Sequence, residues 1–332
     1  MQLIKINKHI QSNNSLNHII DFCKEYKSEN SIKIYIVGGV IRDILLESKS
    51  NPNDLDLVID GDIENFVKEF SNKFRTEIQK AHSFLNYKLV LPDSFQVDVA
   101  HSRKEFYETL GKLPKWEKAN IFDDLSRRDF SINSIALEIG IDNVVLIDPI
   151  GGLSDIKSST IRILHDKSFI DDPTRIYRAI KYKVRFGFSF DQNTKIVLQN
   201  SIGHVENISL FRKNNEILKF LDEPNIHKIL ELLNTTDIFR NLVPQNFMSK
   251  INFIKEDYWS NAPNNEKIFF SLFEVKEKER KLFLNSLNIP KTKMQSIITL
   301  IQIKEKLQKD ALVDRKEINF SNDLISNLYH CL

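Results

Sequence analysis

Glycine is scarce in this 332-residue chain and then runs out: there are nine in all, and none among the last 129 residues. Glycine marks tight turns and strand junctions, so its absence excludes a turn-rich β architecture from the rear and predicts a nearly all-helical one there. Cysteine is scarcer still. Cys23 and Cys331 cannot make a disulfide framework, and no Cys/His cluster has the spacing of a zinc site. No apolar run reaches about 18 residues, which excludes a transmembrane helix from the sequence and any membrane partner through one. The N-terminal MQLIKINKHIQSNN lacks the apolar core of a secretory signal, so a cytoplasmic setting is expected. What is present, 41% hydrophobic and 28% charged residues with 23 Phe, suits a folded chain of roughly two domains.

Charge is split along the chain. Residues 1–153 carry 19 Lys and Arg against 23 Asp and Glu, a net of −4; residues 154–332 carry 28 against 22, a net of +6. An acidic front suits a metal or catalytic centre and a basic rear suits a polyanion, although solvated surface charge would produce the same totals. In the front, IKIYIVGG (32–39), DLDLVID (54–60), YKLVLPD (87–93), FQVDVAH (95–101) and VVLIDP (144–149) read as strands, with helices between them. That order predicts a small mixed α/β sheet. From Asp172 onward, amphipathic segments punctuated by Pro224, Pro244, Pro263 and Pro290 predict a helical array.

Chemistry concentrates in a few stretches. Asp54 and Asp56 lie two apart on one strand, so both carboxylates leave the same face. Two such carboxylates repel, and a divalent cation such as Mg²⁺, which keeps waters and phosphate oxygens as further ligands, relieves the repulsion. Gly38 and Gly39 open a helix and offer backbone N–H groups to a triphosphate, with Arg42 one turn further on. Asp98, mid-strand between apolar neighbours, is the candidate third carboxylate. In SRRDFSIN (126–133), Arg128, Asp129 and Asn133 put donors and acceptors at a helix start, suited to a ribose and phosphates. IDPIGGLSDI (147–156) is a strand–turn–helix junction that serves either as a plain turn or as a hinge through Gly151, Gly152 and Asp155. In DDPTRIYRAIKYKVRF (171–186), Asp172 and Arg175 are neighbours on a first helical turn, followed by Arg178, Lys181 and Lys183. An acceptor beside a donor can read a base edge, and an N-cap acid with an i, i+3 ion pair explains the same residues.

The order GGVIRD, DLDL, RRDFSINSIA, DPIGGLSDI, DDPTRIYRAIKYKVRFGF resembles the class II tRNA nucleotidyltransferases (CCA-adding enzymes) and the bacterial poly(A) polymerases, over about residues 32–220. The resemblance implies a polymerase β-like α/β head followed by an all-α neck, body and tail, here 1–153, 154–225 and 226–332. It implies two Mg²⁺ ions, with CTP, ATP and the tRNA 3′ end as partners. Matched residue by residue, Gly38, Gly39 and Arg42 fall on the triphosphate side of the first motif, and Asp54 and Asp56 on its metal-binding carboxylates. Arg128, Asp129 and Asn133 fall on the motif that holds the nucleotide's sugar and phosphates. Asp172 and Arg175 fall on the acid and arginine that act as an amino-acid template for the incoming base, with Arg178 beyond them. ISLFRKNNEILKFL (208–221) is similar to the last motif through Ser209, Arg212 and Glu216. The chain departs from the pattern at Asp171, where Glu is usual, at Phe211, where Glu is common, and in FLNYKLVL (84–91), which lacks a Gly-Thr.

Overall fold

The computed structural model describes residues 2–47, 54–81, 86–109, 111–236, 239, 241–308 and 321–332. Two compact units divide the chain: residues 1–171 with 188–197, and residues 172–187 with 198–332.

The first unit is built on a seven-stranded sheet of order β3-β4-β5-β2-β1-β8-β9. Its elements run α1 (Gln2–Ser12), α2 (Asn14–Glu29), β1 (Lys33–Val37), α3 (Gly39–Leu45), β2 (Asp54–Asp60), α4 (Ile63–Phe74), β3 (Glu77–Ala81), β4 (Asn86–Val90) and β5 (Gln96–His101). A two-stranded ribbon, β6 (Arg103–Phe106) with β7 (Lys115–Lys118), leads into α5 (Ile121–Ser126). β8 (Ala136–Ile139), β9 (Val144–Ile147) and α6 (Gly152–Lys157) complete the sheet and its last turn. The expected α/β front and helical rear are therefore what forms. The ribbon, β3, β8 and the two N-terminal helices add to the strands foreseen. The missing Gly-Thr of the 84–91 stretch falls partly on residues 84 and 85, outside the described residues.

Alternation along the strands gives the sheet two unlike faces. Leu55, Leu57 and Ile59 of β2, Ile34 and Ile36 of β1, and Val97 and Val99 of β5 point into one large core with α1–α4. α4 earns its place there by spacing: Phe66 and Phe70 are four apart, so both reach the sheet, where they meet Phe22 edge-on at centroid distances of 5.7 and 5.3 Å. Asp62 caps that helix by accepting from Asn65 N–H at 3.1 Å. The opposite face carries only a small apolar patch, Tyr35, Val37, Val58 and Ala136 beneath Ile121 and Leu125 of α5. Odd-numbered apolar and even-numbered acidic positions of β2 thus send Asp54 and Asp56 to the sparsely covered face, where both remain exposed.

The second unit is helical. Its α7 (Thr174–Phe186) buries Ile176, Tyr177, Ala179 and Ile180. Tyr177 donates to the Leu242 carbonyl at 2.9 Å, and Arg185 grips Glu223 with one guanidinium edge, its Nε donating at 2.8 Å and a terminal nitrogen to the other oxygen. Phe269, Phe270 and Phe273 pack against one another deeper in the chain. Among the described residues no helix is long and apolar enough to cross a membrane.

Candidate active site

Strand register does what the sequence spacing promised for the carboxylates and more. β2 and β5 are parallel neighbours with Asp56 directly opposite Asp98, while antiparallel β1 sets Val37 opposite Asp56. Asp54, Asp56 and Asp98 therefore share one face over two adjacent strands. Asp56 keeps accessible surface on this face, yet the protein crowded around it strips water from the carboxylate. That desolvation comes first in raising its pKa, which reaches about 6; Arg128 opposes the rise, and Asp98, Asp54 and Asp124 add to it. Asp98 is also raised, by burial and by Asp54, against the pull of Lys88 across the strand pair.

Asp56 and Asp98 thus resist ionising chiefly through desolvation and secondly through nearby carboxylates, and a divalent cation would offset both. Among the described residues no three His, Cys, Asp or Glu side chains close around a point as a complete metal cage. The donor set fits Mg²⁺, which takes one or two carboxylates and fills its shell with water and phosphate oxygens. Protons and the cation compete for Asp56, so divalent-ion affinity should weaken as pH falls through about 6. Titrating Mn²⁺ or Mg²⁺ at pH 5.5 and 7.5, flanking that value, checks the sign; equal affinity at both would remove Asp56 from the site.

Gly38 is needed next to these acids for two reasons. Its φ of +79° is a conformation side chains avoid, and an added Cβ would lie 2.9 Å from the Asp56 carboxylate. The helix it opens, α3, has only seven residues, so Gly38 and Gly39 contribute close backbone approach more than a macrodipole. Arg128 lies on the other side of the same opening, 3.4 Å from that Cβ position.

Arg42 is 4% exposed, and its guanidinium is turned into the protein. It donates to Asn133 Oδ1 at 2.6 Å and to Asp43 at 2.8 Å, and Asn133 in turn donates to Asp129 Oδ1 at 2.8 Å. The helix start expected at Arg128–Asn133 is instead a single 3₁₀ turn, Ser131–Asn133, entered from an extended Phe130. The i, i+4 contact survives because the Asn133 side chain, rather than a helical backbone, reaches back. The Gly151–Gly152 junction is firmly tied: Asp148 accepts from the N–H groups of Gly151, Gly152 and Leu153 at 2.7 to 3.0 Å, and Arg162 grips Asp155.

In the second unit, Asp172 Oδ1 accepts from Thr174 N–H at 3.1 Å, from Thr174 Oγ1 at 2.6 Å and from Arg212 at 2.8 Å. The acid of the expected base-reading pair is thus held by the arginine of the last motif, forty residues on. Ser209 caps α8 (Leu210–Leu218) by accepting from Arg212 N–H. Arg175 is 5% exposed; Arg178 is half-buried and reaches Tyr182 Oη at 3.0 Å. Lys181, grouped with the basic residues expected to meet RNA, is only 8% exposed, and burial, with Arg178 and Arg185 nearby, pushes its pKa down to about 8. Packing turns it inward, with its ammonium 5.4 Å from the centre of the Tyr182 ring.

Sequence reasoning missed Asp124, fully buried between Arg127 and Arg128, and Glu105, which reaches Arg127 from the ribbon. Asp124 does have a local signal, since Arg127 and Arg128 stand three and four residues after it; Glu105 has none, because its partner Arg127 lies on another element.

Comparisons with known proteins agree with this fold. The profile of the poly(A) polymerase head domain matches residues 34–162, and one described as a probable RNA- and SrmB-binding site of polymerase A matches residues 187–247. The A-adding tRNA nucleotidyltransferase of Geobacter sulfurreducens is 34% identical over 219 residues, 65% of this chain and 25% of that protein. The CCA-adding enzyme of Staphylococcus epidermidis is 24% identical over 311 residues, 90% of this chain and 74% of that one. A solved CCA-adding enzyme in an apo form superposes with a TM-score of 0.73 at 25% identity, covering 98% of this chain and 82% of its own. The chain spans about a quarter of the length of the A-adding relatives from Geobacter sulfurreducens and Aquifex aeolicus.

Proposed function

The chain belongs to the class II tRNA nucleotidyltransferase family, with the bacterial poly(A) polymerases, and from that premise we propose that it adds C, A or both to the 3′ end of tRNA, using CTP or ATP. The observation that carries the reading is the shared face of Asp54, Asp56 and Asp98, with Gly38 and Arg128 at its edge. In the reaction, the RNA 3′-oxygen attacks the α-phosphorus, the bond to the β-phosphate oxygen breaks, and pyrophosphate leaves. Held by Asp54 and Asp56 with Asp98 beside them, two Mg²⁺ ions would lower the pKa of the attacking hydroxyl and neutralise charge on the triphosphate and leaving group. The residues themselves mainly position: phosphoryl transfer needs little covalent chemistry from the protein. Gly38 lets the backbone approach the phosphates, Arg128 offers a guanidinium there, and the Arg42–Asn133–Asp129 chain is a fixed wall for the sugar.

The first 153 residues would carry this chemistry, residues 154–225 the choice of nucleotide, and residues 226–332 contacts with the RNA backbone, in the cytoplasm. Asp172 and Arg175 would present an acceptor and donors to the base edge, with Arg212 fixing the acid. A pocket built to hydrogen-bond one base leaves its own polar groups unpaired against another. Arg175→Ala should therefore lower discrimination against UTP and GTP by about tenfold or more, alongside a slower correct reaction. Steady-state kcat/KM for all four NTPs, run beside a melting curve, decides this. A variant that melts early yet selects normally would leave Arg175 only a structural part. The match of residues 187–247 to polymerase A favours one alternative, addition of A to other RNA 3′ ends, which the same assay on a non-tRNA substrate would reveal.

A further inference from the structure

An ionic relay runs through the first unit from the β6–β7 ribbon to the edge of the carboxylate site. Glu105 Oε1 on β6 accepts from Arg103 at 2.9 Å and from Arg127 at 3.0 Å. Arg127 also donates to Asp124 Oδ1, through Nε at 3.0 Å and through a terminal nitrogen at 2.6 Å. The other oxygen of Asp124 takes Arg128 at 2.9 Å. Three guanidiniums and two carboxylates thus alternate, and water hardly reaches them: the Asp124 side chain is 0% exposed and that of Glu105 7%. Burial alone would raise the Asp124 acid, but Arg128 and Arg127 outweigh it and hold its pKa below the usual carboxylate range.

The far end of the relay is under-determined without it. Among the described residues Arg128 makes one side-chain hydrogen bond, to Asp124, and its Nε is buried with no acceptor. The direction in which its remaining nitrogen points, toward Gly38 and Asp56, therefore rests on the Asp124 carboxylate. Asp124 cannot turn to solvent, and Arg127 fixes its second oxygen. Arg127 is in turn braced by Glu105, twenty-two residues upstream on a different element.

We propose that Glu105 is a positioning residue for the triphosphate: acting through Arg127 and Asp124, it holds Arg128 in place at the mouth of the site. The inference rests on the functional reading above, since the group to be bound is a nucleoside triphosphate. It gives the ribbon a duty that its sequence, exposed and rich in Lys and Glu, does not suggest. A guanidinium that must be pre-aimed loses affinity for its anion when its support is loosened, even though no contact to the anion is removed.

The test is a double-mutant cycle read by calorimetric titration of CTP and ATP with Mg²⁺ present, so that binding is measured without turnover. Glu105→Gln should weaken triphosphate binding about fivefold, Arg128→Ala about twentyfold, and the double variant no more than Arg128→Ala alone, because the relay has nothing left to aim. Arg127→Lys, which keeps the charge but loses the fork joining Glu105 to Asp124, should reproduce the Glu105→Gln loss and provides a second route if Glu105→Gln folds poorly. Wild-type affinity in Glu105→Gln, or losses that multiply in the double variant, would overturn the relay and leave Glu105 a ribbon anchor. A wild-type chain that binds neither CTP nor ATP would overturn the functional reading, and this one with it.

Discussion

Asp56→Asn should abolish nucleotide transfer while leaving the metal-free protein as stable as before, or more so. The two effects have opposite signs for one reason. Crowding and the neighbouring Asp98 and Asp54 hold the Asp56 pKa near 6, well above that of a free carboxylate. A group whose folded-state pKa is raised costs stability once pH exceeds its unfolded value, and the cost is fully present above the folded value of about 6. At pH 7 the neutral amide removes that cost. On the proposed function it also removes a charge that would hold a cation against a triphosphate, and losses of a preorganised charge-stabilising group run to about 10³-fold in rate. Turnover with labelled CTP or ATP and a melting curve in chelator measure both arms. A variant that lost activity only in step with a falling melting temperature would make Asp56 a structural residue.

Gly152→Ala should destabilise the first unit by about 3 kcal/mol or more, the upper range for forcing atoms into a filled space. A Cβ there would sit 2.2 Å from the Ser131 carbonyl oxygen and 3.0 Å from Ile135 Cγ1. Neither side can yield cheaply. Gly152 N–H is bound to Asp148, and Ser131 is held by its N–H to the Arg162 carbonyl and by its hydroxyl to Asp155. For a unit of this size that is a fall in Tm of about 6–12 °C. Its neighbour Gly151 makes the control: φ is +83°, but the nearest atom is the flexible end of Arg162 at 3.7 Å, so Gly151→Ala should cost only about 1–2 kcal/mol of backbone strain. Equal melting temperatures for the two variants would contradict the close packing of α6 on the Ser131 turn.

What could be read in the sequence followed local periodicity. Asp54 and Asp56 are visible because a strand alternates, and Gly38 because a glycine pair separates a strand from a helix. The glycine-free rear announces its helices in the same way. What escaped needs a partner from elsewhere in the chain. Spacing puts Arg42 on the first turn after Gly39, but not that Asn133, ninety-one residues away, takes its guanidinium. Spacing pairs Asp172 with Arg175 on one turn, but does not show that Arg212, forty residues on, donates to the acid. Lys181 reads as one of a basic series, and only packing shows it buried, with its ammonium over Tyr182. The N-terminal helices leave no motif at all; they are fixed by Leu16, Ile19, Ile20 and Cys23 closing the sheet's apolar face.

The proposed activity is addition of C, A or both to the tRNA 3′ end, with acids on one sheet face at its centre. It is tested most directly by incubating the chain with tRNAs ending before CCA, after C and after CC, supplying CTP alone, ATP alone or both. Length-limited products, with C or A added only where the ending calls for it and none made by the Asp56→Asn variant, are the predicted result. Untemplated A tracts on any RNA, or no incorporation by the wild-type chain with Mg²⁺ present, would contradict it.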